Sequence, residues 1–106
     1  MPDVVPEMRR QVLHNLVAIQ STVLLSRNST KIPIGYRKLE LILTTLSGCL
    51  LSIERVEDQE QVIEILRATS RKLGLWESGL TETVVKQARR AIDELVGDLE
   101  AKESAA

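Results

Sequence analysis

The sequence predicts an all-α protein, a four-helix bundle-like single domain over residues 1–106 that pairs as a homodimer through its second helix. Three observations predict it. Four segments place aliphatic residues at every third or fourth position, the spacing of one helix face. The apolar residues are almost all Leu, Ile and Val, with no Phe and a single Trp76 and Tyr36, and such side chains fill the seams between helices. Pro, Gly and small polar residues fall between the segments, where helices begin and end.

Helix 1 is expected over residues 6–27, opening at Pro6, whose missing N–H is unpaired in a first turn anyway. Val5, Met8, Val12, Leu16, Ile19 and Val23 make one stripe, with Leu13, Val17 and Leu24 alongside. At 100° per residue they cover an arc of about 180°, wider than the ~100° of a simple surface helix, so two neighbours are expected. Asn28 should stop the helix. Residues 28–35, with Pro33 and Gly35, read as a long connection that tucks in Ile32 and Ile34.

Helix 2 is expected over 36–55, with Leu39, Ile42, Leu43, Leu46, Cys49, Leu50 and Ile53 as its core stripe. Asp58, three residues before Gln61, resembles a capping box that starts helix 3 at 58–73. Acids lead that helix and Arg67, Arg71 and Lys72 close it, as the helix dipole prefers. Gly74 offers a left-handed stop, with Leu75 as its hydrophobic contact. Helix 4, at 81–101, should be capped by Thr81, with Leu80 stapled onto Val85. Val84, Ala88, Ala91, Ile92, Leu95 and Leu99 form its core face, and the tail beyond should fray.

Composition narrows function. A net charge of −1 opposes a general polyanion binder, and two aromatics do not make a stacking platform for single strands. The charge is uneven, at +3 over residues 1–55 and −4 over 56–106. Residues 41–53 carry no charge at all, yet they fall short of the roughly 20 apolar residues that cross a bilayer. No helix pairs an aromatic-bearing apolar face with a Lys/Arg-rich one, so no membrane role is expected. Cys49 cannot form an intramolecular disulfide, and no secretory pattern opens the chain, so the cytoplasm is the expected compartment.

Residues with chemistry are few. His14 is the only histidine and projects on the polar side of helix 1, so no zinc set forms around it. Cys49 lies mid-helix among Leu and Ile, where a buried inert thiol is expected. The glycines form neither a phosphate loop nor a dinucleotide fingerprint. Neither catalysis nor a cofactor is expected.

Three features suggest binding. Thr44, Gly48 and Ser52 form a ridge of small residues on helix 2, flanked by Leu41 and Leu51. Gly in mid-helix costs up to about 1 kcal/mol relative to Ala, so a packing reason is worth seeking. The ridge can receive a helix of the same chain or helix 2 of a second copy. Trp76, with Leu75 and Leu80 beside it, either caps the bundle end or anchors a partner. Arg89 and Arg90, each four residues before an acid at Asp93 and Glu94, form either a solvated salt-bridged face or a charged docking strip.

The expected function is therefore that of a small non-enzymatic regulator that binds and sequesters or inhibits a partner protein, such as an antiactivator of a transcription regulator. A chaperone or secretion adaptor also fits. The alternative is a DNA-binding repressor in which helices 3 and 4 present Thr81, Thr83, Lys86, Gln87 and Arg90 to a groove. Its connection is longer than the usual turn, and acids follow directly, which makes nucleic acid the less favoured partner.

Overall fold

The computed structural model describes the backbone of residues 6–29 and 33–105 and the side chains of 9–29 and 36–101. Val5, Ile32 and the side chains of Met8 and Ile34 lie outside that description. Four helices follow in order: α1 (Pro6–Ser29), α2 (Pro33–Arg55), α3 (Gln59–Leu73) and α4 (Glu82–Ala105). No strand occurs among the described residues. Each helix packs on the next, and α1 meets α4 along a narrower seam, so the four form an all-α bundle 47 × 19 × 16 Å in extent.

α1 runs past the expected stop, with Asn28 inside it. The Ser29 hydroxyl donates back to the Leu25 carbonyl at 3.0 Å, the i−4 bond that serine makes within a helix. Val12, Leu16 and Val23 are buried, and Leu13 and Ile19 pack partly against the core. Val17 and Leu24, expected beside them, are exposed. The two neighbours of α1 are α2 and α4, and these cover less than the apolar arc.

α2 starts at Pro33, not Tyr36, because proline loses no hydrogen bond in a first turn. The long connection expected over residues 28–35 therefore shrinks to 30–32. The expected stripe of α2 is found as the centre of the core. Ile42, Leu46 and Ile53 are fully buried, and each such side chain contributes roughly 1.5–3 kcal/mol over exposure. Arg9 of α1 reaches the far end, donating to the carbonyls of Ile53 at 3.3 Å, Glu54 at 3.0 Å and Val56. A cation from the neighbouring helix thus satisfies the last turn of α2.

Asp58 caps α3 by accepting from the Glu60 N–H at 2.9 Å. Gln61 makes no reciprocal bond among the described residues, so only half of the box forms. Gln59 is buried and donates to the Leu99 carbonyl at 2.9 Å, which ties the start of α3 to the last part of α4. Together with the exposed Arg67–Glu100 pair at 2.8 Å, this holds α4 to α3 as far as Glu100, and the helix runs on to Ala105.

Gly74 is right-handed, with φ −57°, and passes directly into a short 3-10 turn at Gly74–Trp76. The left-handed position is Gly79, with φ +57°, at the start of a second turn, Gly79–Thr81. Gly74 has a different use, since a Cβ there would lie 3.0 Å from Nη1 of Arg89. Leu75 and Leu80 are 75% and 58% exposed, so neither makes the buried contact expected of it.

Candidate interaction surface

The ridge of small residues lies on the outer side of α2. Thr44, Gly48 and Ser52 are exposed, and a Cβ built on Gly48 would meet nothing within 4 Å. No described residue of the chain packs on Gly48. Leu41 and Leu51, 46% and 57% exposed, flank it as the spacing suggested.

The sequence did not single out α1 as part of this side. Val17, Leu24 and Leu25 are exposed there, Val17 at 49%. Three fasteners set the antiparallel register of α1 and α2: Arg9 at residues 53–56, Gln20 Nε2 to Ser47 Oγ at 2.7 Å, and Arg27 to Glu40 at 2.5 Å. Arg27 also lies 5.7 Å from the Tyr36 ring centroid, in cation–π range. That register sets Val17 level with Leu51, and Leu24 level with Thr44. The outer sides of the two helices thus form one strip in which Val17, Leu24, Leu41 and Leu51 surround Ser21, Thr44 and Gly48. The signal in the sequence was the apolar arc of α1, too wide for its neighbours to cover.

The segment between α3 and α4 stands at the end of the bundle where α2 begins, with Lys38 Nζ 3.5 Å from Ser78 Oγ. Trp76 is half-buried and packs on the core. Thr81 is fully buried, and its hydroxyl donates to the carbonyls of Trp76 and, at 3.1 Å, Ser78. It therefore braces the turn from within and does not serve as the expected side-chain cap of α4.

Arg89 bears on the same segment. Its Nη1 donates to Glu77 Oε1 at 3.1 Å and its Nε to Ser70 Oγ at 3.4 Å, while Ser70 donates to Asp93 Oδ1 at 3.1 Å. The expected pairs Arg89–Asp93 and Arg90–Glu94 are absent among the described residues, since Arg89 is drawn inward. The i,i+4 pair that does form on α4 is Glu82–Lys86, at 3.3 Å. Arg90 is exposed and lines a shallow open depression of about 620 Å³ with Thr83, Lys86, Gln87, Asp93 and Glu94.

The proposed interface residues thus fall in three places. Leu41, Thr44, Gly48, Leu51 and Ser52 share the outer side of α2; Leu75, Trp76 and Leu80 stand at one bundle end; and Arg89 and Arg90 both line the depression on α4, Arg89 tied to Glu77 and Arg90 exposed. A second, smaller cleft of about 210 Å³ marks the α1–α4 seam, between Ala18, Ile19 and Thr22 on one side and Val84, Gln87 and Ala91 on the other.

Cys49 is buried, which pushes its thiol above the ordinary value of 9.0, with a smaller opposing effect from a hydrogen bond with Thr69. His14 is exposed, as its position on α1 suggested. Among the described residues, no group of His, Cys, Asp and Glu could hold a metal ion, and no helix is long and apolar enough to cross a membrane. In comparisons with known proteins the chain matches no family model, no curated protein and no solved structure.

Proposed function

We propose that the protein acts by binding another protein through the outer side of α1 and α2, with no catalysis of its own. The observation that carries this reading is the exposed strip of Val17, Leu24, Leu41 and Leu51 about Gly48, over which no part of the described chain folds. Contiguous apolar surface of this kind marks interaction sites more often than scattered single residues do. A regulator that sequesters or inhibits a larger factor in the cytoplasm, such as an antiactivator of a transcription regulator, would work in this way. A chaperone or secretion adaptor would use the same surface.

A second copy of the chain is the other occupant the ridge admits, because an open Gly48 lets a helix axis approach closely. The DNA-binding reading has less support. Of its groove-facing set, Thr81 is fully buried, and Asp93 and Glu94 share the depression with Arg90.

The test replaces exposed leucines, so the fold is spared. Leu41→Glu with Leu51→Glu should leave helicity and melting temperature nearly unchanged, as surface substitutions away from packed features usually fall within about 0.5 kcal/mol. The native protein, tagged and passed over nuclease-treated host lysate, should retain one stoichiometric protein that the variant loses. Equal retention by both proteins would remove the α1/α2 side from consideration.

A further inference from the structure

We infer that the occupant of the α1/α2 outer side is an amphipathic helix of another protein, with acidic residues flanking its apolar stripe. The inference rests on the reading of that side as a binding surface and adds the chemistry of what binds.

It comes from how the cations of these two helices are used. Arg9 is taken up by the α2 carbonyls, Arg27 by Glu40, and Lys38 lies against Ser78. Arg10, Arg37 and Arg55 are exposed and have no ion pair or side-chain hydrogen bond among the described residues. In projection Arg37 and Arg55 both fall about 20° from Gly48, and Arg10 about 20° from Val17. All three therefore stand on the apolar side, with Arg10 and Arg55 level at one end and Arg37 at the other.

The described acids of α1 and α2 are placed elsewhere. Glu40 is in the seam with Arg27, and Glu54 projects about 120° from Gly48. The outer side is thus an apolar strip with arginine at both ends and no described carboxylate between them. Eighteen residues separate Arg37 from Arg55, about 27 Å of helix at 1.5 Å per residue. A partner helix of about five turns spans that distance, with Glu or Asp at its two ends to meet the guanidinium forks.

A second copy fits less well. A two-fold interface sets the same patch against itself, so Arg10, Arg37 and Arg55 would face their own counterparts with no acid of that patch to answer them. Nucleic acid fits less well again, because the middle of the strip is apolar and offers nothing to phosphate.

The experiment pans a displayed library of five-turn amphipathic helices, with positions beside the apolar stripe randomised among Glu, Gln and Lys, against the full chain at low salt. Glu should be enriched at both ends of the winners. The best winner, made as a peptide, should lose about tenfold in affinity to Arg37→Glu with Arg55→Glu, and its Lys-flanked version should regain it on that variant. No charge bias, enrichment of Lys, or binding unaffected by Leu51→Glu would overturn the inference.

Sedimentation of the same samples separates the two readings. A species of twice 11.9 kDa that Leu51→Glu reduces to 11.9 kDa would give the strip to a second copy, which overturns the acidic helix and leaves the binding surface standing. Binding to phosphatidylglycerol vesicles that Arg37→Glu with Arg55→Glu removes, without any selected helix, would assign the strip to anionic lipid and overturn both.

Discussion

Cys49 illustrates how one position on a helix settles a residue's chemistry. Its thiol lies in the buried stripe of α2, 4% exposed, where the thiolate would lose its hydration. The folded pKa is raised above 9.0, so the stability linked to this group is fully present below that pH and is lost as pH rises through the higher folded value. The urea midpoint should accordingly hold steady around neutrality and fall above pH 9, with a shallower fall in Cys49→Ala. Labelling by a thiol reagent at neutral pH should track unfolding, and prompt stoichiometric labelling of the native protein would contradict the burial. This much could be read from the position of Cys49 among Leu and Ile. The work of the arginines could not, because Arg9, Arg27 and Arg89 reach partners 44, 13 and 12 residues away in sequence, and only the packed bundle brings them together.

At the scale of elements, periodicity revealed which segments are helical and which face of each is buried, since both follow from local spacing. The ends were harder to read. Pro33 reads as punctuation, although in a first turn it serves equally well as a start, and the left-handed turn expected at Gly74 falls to Gly79 because only one of two nearby glycines need take it. The proposed binding side was half legible. The outer face of α2 stands out as uncharged between residues 41 and 53, whereas that of α1 is hidden by counting Val17 and Leu24 with the core stripe. Gly48 now separates local cost from function. With open space at its Cβ, Gly48→Ala should stabilise the protein by about 0.5–1 kcal/mol, seen as a higher urea midpoint at unchanged slope. If a helix packs closely on the ridge, the same methyl should weaken that association while the free protein gains stability. A variant less stable on its own would show that the ridge is packed within the chain.

Across the whole molecule, the two bundle ends have different characters. Leu25, Tyr36, Leu75 and Leu80 are exposed at one end, while Arg9 and Arg55 mark the other. The segment carrying Leu75 and Leu80 is nevertheless well anchored. Thr81 holds the carbonyls of Trp76 and Ser78, Trp76 rests on the core, and Arg89 joins Glu77 to Ser70 of α3. A segment fixed at that many points to three helices should not open before they do, in contrast to loops whose few contacts let them unfold locally. Trp76 is the only tryptophan, so its emission reports this end of the bundle, whereas far-UV circular dichroism reports all four helices. The two urea curves should therefore superimpose with a single midpoint, the behaviour of a cooperative two-state bundle. An emission change complete before helicity is lost would mean that the Gly74–Thr81 segment is a separate, weaker unit, and that its exposed leucines sit on a mobile loop and not on a fixed ledge.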